Sequence, residues 1–322
     1  MIGSWMIDAA GNVLRPGILW NDGRAQGLLD RVRATNADLM SQLFDSSGQV
    51  MQLGCTLPLL AWLAENEPEV VERSVKILTA KDYIRLRLTG EIATDETDAA
   101  IGPGTAHGRC FNPDLLDLFG LDSFAHLLPE VRPSEALAGY LTEDAATVVG
   151  LPAGLPIAIG AGDLPACVIG SGSAEEGLAC TVLGTTCLNG VLSVTPVFLP
   201  RDMGILFTIP GGLWLKTMVN VAGTTNMDWC LDALCPDVKL LPDPYAALNE
   251  IAANGAPGTN GLTYVPYLSQ IGIIAPRLEP GARAVFSGLD PSHGRPDLVR
   301  AVFEGVAYSI RDCYEAIGRP IN

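Results

Sequence analysis

Short apolar runs that break abruptly into glycine and small polar residues organise this chain. The two clearest are IAIGAGDLPACVIGSG, residues 157–172, and ACTVLGTTC, residues 179–187. Each starts as a buried strand would and ends as a tight turn would. Upstream, Trp5-Met6-Ile7 predicts a strand and DAAGN, 8–12, a hairpin turn. VLRPGILWNDGRAQ predicts a strand running into Trp20–Arg24, and residues 25–44 carry the apolar spacing of one helix. In GCTLPLLAWLAENEPEVVERS, Thr56 is placed to cap a helix with Pro58 in its first turn and Leu60 and Leu63 on its apolar face. Residues 77–100 predict a short strand, a helix closed by Gly90 and a turn back. Residues 101–150, interrupted by Pro and Gly, suit a peripheral helical cap or connection. From there the pattern becomes β-rich, with strands near 157–161, 179–183, 188–193, 204–208 and 213–221. A helix starting at Thr224 or Thr225 carries Trp229. A longer one over 295–317 sets Leu298, Val302, Val306, Ser309 and Ile310 on or beside one stripe. This is an α/β pattern with a boundary near 173–178.

Composition narrows the class. The 322 residues are 48% hydrophobic and only 17% charged, enough for two domains with a substantial core. Acidic residues outnumber basic ones 36 to 20, and the net charge of -16 argues against nucleic acid or an anionic membrane as a partner. A nucleotide stays open, because it needs only local N–H groups. The eight cysteines form no C-x-x-C pair and most sit in apolar surroundings, which favours buried thiols in a cytoplasmic protein over zinc. No apolar run reaches the ~20 residues that span a bilayer, and the start lacks the regions of a signal peptide. Trp5 lies in a strand at the very beginning, so the sheet is expected to lack neighbouring strands.

The two breaks carry the candidate chemistry. The first places Asp163 between Gly162 and Leu164-Pro165; the second places Thr185 and Thr186 directly after Gly184. Glycines let backbone approach a ligand, and successive N–H groups can cradle an anion. A carboxylate near such a nest suits phosphoryl transfer, in which a base orients an alcohol. Both breaks also fit ordinary strand-to-loop corners.

Several stretches resemble, in order, the FGGY family of carbohydrate kinases. ILWNDGRA looks like the family's tryptophan-bearing strand end. GCTLPLLAWLAEN resembles its first signature, with Leu59 where a lysine is usual. AKDYIRLRLTGEIATDETDAA is similar to the family's K-D-Y and L-T-G segment. AVFSGLDPSHGRPDLVRAVFE, 284–304, resembles the second signature throughout, and GLTYVPYLSQ fits, although Ile-Gly-Ile follows in place of Gly-Glu-Arg.

The resemblance implies an actin-like ATPase (ribonuclease-H-like) fold of two domains with a cleft between them. The expected domains are 1–175, sugar-binding, and 176–322, nucleotide-binding. It implies ATP and Mg2+ as cofactors, a small sugar or polyol as substrate, and Asp163 as the catalytic base. Trp20, Asp22, Arg24 and Thr56 would lie at the sugar. Gly184, Thr185, Thr186 and Gly223 would lie at the nucleotide and its phosphates. An Asp22–Arg24 pair that merely fixes its loop is an equal reading, as is a core role for Trp20. Arg300 and Glu304 read as an ion pair, and Cys187 as a thiol nucleophile is the weaker reading beside Thr186. Leu164 and Leu59 suggest a weakly charged ketopentose, pentitol or tetritol. The family's opening phosphate-binding strands and closing adenine loop have no counterpart, so the fold is expected to be incomplete at both ends, with impaired activity. Met1-Ile2-Gly3 falls where some members carry a sugar contact. A non-catalytic sugar-binding or regulatory remnant and another actin-like ATPase are the alternatives, and a homodimer is compatible with each.

Overall fold

The computed structural model describes residues 3–318 except 52, 103, 270, 271, 274, 278 and 280. Met1, Ile2, Gln270, Ile271 and the terminal Asn322, singled out above, lie outside the described residues. The chain divides into two compact units. The first holds residues up to Glu176 together with Leu192–Asp202 and Leu206–Lys216; the second holds Gly177–Val191, Met203–Ile205 and the rest from Thr217.

In the first unit, β1 (Gly3–Ile7) is flanked by β2 (Ile18–Leu19) and, further on, by β3 (Lys76–Leu78), both antiparallel to it. The helix expected over 25–44 is two, α1 (Gln26–Thr35) and α2 (Leu39–Ser47). Asn36 is the reason: its backbone is extended, and its side chain accepts from the Asp38 N–H at 3.1 Å, which competes with helix continuation. Next come α3 (Thr56–Asn66) and α4 (Pro68–Arg73). Thr56 is already inside α3, behind Cys55, so it does not cap it; its hydroxyl donates to the Gly3 carbonyl at 3.2 Å. The helix is buried from Thr56 to Ala61, with Glu65 and Asn66 exposed at its end, and Leu57, Leu59, Leu60 and Leu63 join Leu28 and Leu43 in the main core.

After β3, α5 (Ala80–Thr89) ends at Gly90, whose left-handed backbone (φ 79°) closes it as the sequence indicates. Then follow β4 (Thr94–Asp95), α6 (Glu96–Ile101), the hairpin β5 (Gly104–Thr105) and β6 (Cys110–Phe111), and α7 (Asp114–Asp117). β7 (Val131–Arg132) runs parallel to β4, while β8 (Leu137–Tyr140), α8 (Glu143–Val149) and β9 (Pro156–Ala158) form a small β-α-β excursion. The strand predicted to reach residue 161 stops at 158. Irregular backbone then leads to α9 (Asp163–Gly170), so Asp163 opens a helix.

Downstream, β10 (Ala179–Leu183), β11 (Cys187–Ser193), β12 (Ile205–Ile209) and β13 (Leu213–Asn220) form a sheet in the order β10-β11-β13-β12. The second unit then packs α10 (Thr225–Ala233), α11 (Pro244–Ala253), the hairpin of β14 (Thr263–Val265) and β15 (Val285–Ser287), and α12 (Arg295–Ile317). Leu231, Leu248, Tyr264, Val299 and Val302 make its core, with Trp229 stacked on Tyr264 at 6.2 Å. α12 buries Val302, Val306, Ser309 and Cys313 on one face, whereas Leu298 and Ile310 are only half-buried at its margins.

Gly305 lies on that face, and a Cβ there would collide with the Tyr264 carbonyl oxygen of β14. Helix propensity alone favours alanine by about 0.5–1 kcal/mol, but overpacking of this kind costs about 1–3 kcal/mol. Gly305→Ala is therefore expected to lower the urea midpoint. A raised midpoint would mean that β14 yields freely.

Candidate active site

The first unit holds a buried cluster of charge around the start of α5. Lys81, at the start of α5, reaches Asp82 at 2.7 Å, Asp95 at 2.8 Å and Asp98 at 3.3 Å. Arg85, one turn further along α5, reaches Asp82 at 2.9 Å, and the Thr79 hydroxyl lies between the Asp82 and Asp98 carboxylates. Burial opposes a charge on Lys81, yet Asp98, Asp82 and Asp95 outweigh it and raise the lysine above its ordinary range. Burial likewise pushes Asp95 up. The Lys81 charge, with hydrogen bonds from Lys81, Thr97 and Ser134, more than reverses this and holds the carboxyl below the usual range.

Asp95 also caps α6, accepting from the N–H groups of Thr97 and Asp98 at 3.0 and 3.2 Å. Its Oδ2 accepts from the hydroxyls of Thr97 at 2.6 Å and Ser134 at 2.7 Å. These partners hold the irregular backbone that precedes Asp163. The Ser134 carbonyl accepts from the Gly160 N–H at 2.8 Å, and the Ala136 carbonyl from the Ile159 N–H at 2.9 Å. Arg85 Nη1 donates to the Ile159 carbonyl at 2.9 Å, and the Gly162 N–H donates to the Thr97 hydroxyl at 2.8 Å. A Cβ on Gly162 would sit 3.2 Å from Asp98 Oδ1 and 3.3 Å from Thr97 Oγ1, tighter than ordinary contact, so glycine suits the approach. The run ends at Asp163, exposed in the first turn of α9.

Trp20, at the end of β2, is 53% exposed and so is not a core tryptophan. Its carbonyl packs so closely on Gly54 that a Cβ there would overlap it, which fixes the GCT stretch against the strand end. Asp22 and Arg24 engage each other through two hydrogen bonds of 2.9 Å, and the Arg24 guanidinium lies over Trp62 at 4.9 Å. The Arg24 side-chain hydrogen bonds, reinforced by its backbone N–H, hold the Asp22 carboxyl below the usual range. The pair therefore fixes its loop. Thr56 is buried with its hydroxyl on Gly3, and Leu59 is wholly buried in the core.

In the second unit, Gly184, Thr185 and Thr186 form the turn between β10 and β11, with both threonines exposed. The Gly184 N–H donates to the Thr186 carbonyl at 2.9 Å, and the Gly184 carbonyl accepts from the Thr224 N–H at 2.7 Å. The Thr225 hydroxyl donates to the Thr185 carbonyl at 3.1 Å. Gly223 is buried, and a Cβ there would overlap the carbonyls of Gly184 and Thr185. Its smallness lets the start of α10 close on the turn. Burial pushes the Cys187 thiol up to about 11, which disfavours the thiolate that nucleophilic chemistry needs. Arg300 and Glu304 do pair, at 2.8 Å. Among the described residues no group of three or more His, Cys, Asp or Glu is arranged to hold a metal ion, and no helix is long and apolar enough to cross a membrane.

The mixed α/β architecture of the two units is that of the actin-like ATPase fold. The chain belongs to the FGGY family of carbohydrate kinases, whose N-terminal domain it matches over residues 1–170 and C-terminal domain over 179–322. It is 32% identical to xylulose kinase of Escherichia coli over 98% of this chain and 63% of that protein. It is 27% identical to erythritol kinase of Brucella abortus over 98% of this chain and 62% of that protein. The crystal structure of a xyloylose kinase from Brucella ovis superimposes with a TM-score of 0.84 at 29% identity, covering 100% of this chain and 64% of that one. The chain thus spans somewhat under two thirds of the length of these relatives.

The residues that the sequence reading missed are Thr97, Ser134 and Arg85, which hold the loop. The sequence carried little signal: residues 81–98 are rich in charge and read as a solvated stretch, and only the fold buries Asp82, Arg85, Asp95 and Asp98. Removing one partner of a buried ion cluster typically costs about 3–5 kcal/mol, so Lys81→Met is expected to lower the unfolding free energy by that order in urea titration. Asp95 also gives a pH signature. Its folded pKa is depressed, so its stabilisation is complete above the ordinary 3.8 and is lost as pH falls through the lower folded value. Asp95→Asn should therefore show a shallower loss of stability on acidification between pH 3.8 and that lower value. An unchanged acid limb would place the acid-sensitive group elsewhere.

Proposed function

We propose that this chain serves ATP-dependent phosphorylation of a hydroxyl on a small sugar or polyol, with Asp163 as general base. The observation that carries the reading is the placement of Asp163, an exposed carboxylate at the first position of α9 on a loop anchored to buried charge. In this reading the substrate hydroxyl gives its proton to an Asp163 oxygen while its own oxygen bonds to the terminal phosphorus of ATP. The bond from that phosphorus to the bridging oxygen breaks, and ADP leaves. Catalysis of this kind is mostly positioning, so a carboxylate held by its backbone suits it. The Gly184–Thr186 turn is read as a phosphate contact, and Gly223 as the residue that shapes it. Magnesium is read as arriving with the nucleotide phosphates, since it binds mainly through substrate phosphates and water.

The names of the relatives, xylulose kinase and erythritol kinase, support a ketopentose or tetritol, with a pentitol between them in size. Exposed Trp20 offers a flat apolar face suited to one side of a carbon chain, while Asp22 and Arg24 hold the loop that carries it. Leu59 no longer bears on substrate charge, because it is in the core. Leu164, half-buried beside Asp163, is the remaining support for a weakly charged substrate. A cytoplasmic setting, where ATP is abundant, belongs to the same reading.

The test is ADP release by the purified chain with ATP, magnesium and a panel of xylulose, erythritol and pentitols. One clear preference is expected, and Asp163→Asn should lower kcat by about 100-fold or more while leaving nucleotide affinity unchanged. Near-normal turnover in that variant would remove Asp163 from the chemistry. Sugar binding by calorimetry without any sugar-dependent ADP release would favour the non-catalytic reading instead.

A further inference from the structure

We propose that Thr97 is a positioning residue for Asp163, its hydroxyl carrying the rigidity of the buried Lys81–Asp95 pair to the backbone N–H of Gly162. The proposal rests on the reading of Asp163 as general base. Thr97 is 1% exposed and touches solvent too little to meet a substrate itself. Its hydroxyl has one hydrogen, and that hydrogen goes to Asp95 Oδ2 at 2.6 Å. Asp95 is an acceptor only, because Lys81 pairs with Oδ1 at 2.8 Å and Ser134 donates to Oδ2 at 2.7 Å. The direction of the Thr97 hydrogen bond is thereby fixed, which leaves its lone pairs for the Gly162 N–H at 2.8 Å.

Gly162 is the residue before Asp163, and its carbonyl accepts from the Ala166 N–H at 3.0 Å as the first turn of α9. Gly162 is thus held at its N–H by Thr97 and at its carbonyl by the helix that Asp163 opens. Gly160, two residues earlier, has φ of 83°, a conformation that only glycine adopts easily, so the segment has little stiffness of its own. Displacing a catalytic group by ~1 Å costs on the order of 100-fold in rate, so this hydroxyl is placed to matter without touching substrate.

The test uses Thr97→Val, which keeps the shape and removes the hydroxyl, and Thr97→Ser, which restores it. In Thr97→Val the Gly162 amide should exchange with deuterium about tenfold or more faster, with α3 and α12 amides unchanged. Thr97→Ser should restore wild-type protection. With the preferred substrate, kcat should fall about 10–100-fold in Thr97→Val at unchanged KM for ATP, and recover in Thr97→Ser. Added to Asp163→Asn, Thr97→Val should cause no further loss, because both act on one step. Unchanged exchange at Gly162 in Thr97→Val would overturn the proposal, and so would an additive loss in the double variant. If Thr97→Val does not fold, Thr97→Ala is read in the same way. If Asp163→Asn alone keeps its turnover, the base reading fails, while the exchange result still decides whether Thr97 anchors the loop.

Discussion

A charge taken out of water costs several kcal/mol unless its surroundings repay it, and the first unit is built around that requirement at Asp95. The carboxylate is 0% exposed, with Lys81 on one oxygen and two hydroxyls on the other, and two backbone N–H groups complete its shell. Those partners come from α5, from the first turn of α6 and from the stretch after β7. Satisfying one carboxylate therefore fixes several separate segments at once. This constraint does not exist in any single segment, and it is lost if any of them moves away.

The functional consequence lies in what these segments hold in turn. Ser134, Ala136, Arg85 and Thr97 each spend a hydrogen bond on residues 159–162. That run contains two glycines and ends at the exposed Asp163, so it has the composition of a flexible loop. Its order comes from outside. In the proposed reading of Asp163 as general base, the arrangement reconciles two demands on such a carboxylate: exposure to a substrate, and a position fixed closely enough for proton transfer.

The second unit orders its turn with backbone groups and a single hydroxyl. The turn from Gly184 to Thr186 is clamped by the start of α10, through the Thr224 N–H and the Thr225 hydroxyl, and Gly223 makes room for it. Here smallness does what charge does in the first unit. A methyl group at Gly223 would overlap two carbonyls of the turn, as one at Gly305 would overlap the Tyr264 carbonyl on the face of α12.

The sequence by itself determined the elements whose causes are local. The strand at Trp5–Ile7, the stop at Gly90, the helix carrying Trp229 and the long helix from Arg295 all follow from periodicity and capping, which act within a few residues. It also placed Asp163 and the Gly184–Thr186 turn at the ends of apolar runs, because glycine leaves a visible mark. Where competing local bonds decided, the pattern was less clear: Asn36 split the first long helix, although the apolar spacing continues past it. What only the tertiary structure decided is which polar residues face each other. Thr56, read as a cap, is bound to Gly3, 53 residues away, and Leu59 is in the core. Asp22 and Arg24 pair with each other, and Thr97 meets Gly162 across 65 residues. Hydrogen bonds and ion pairs are short-ranged in space but unlimited along the chain, so their partners become known only once the fold has brought them within three ångströms.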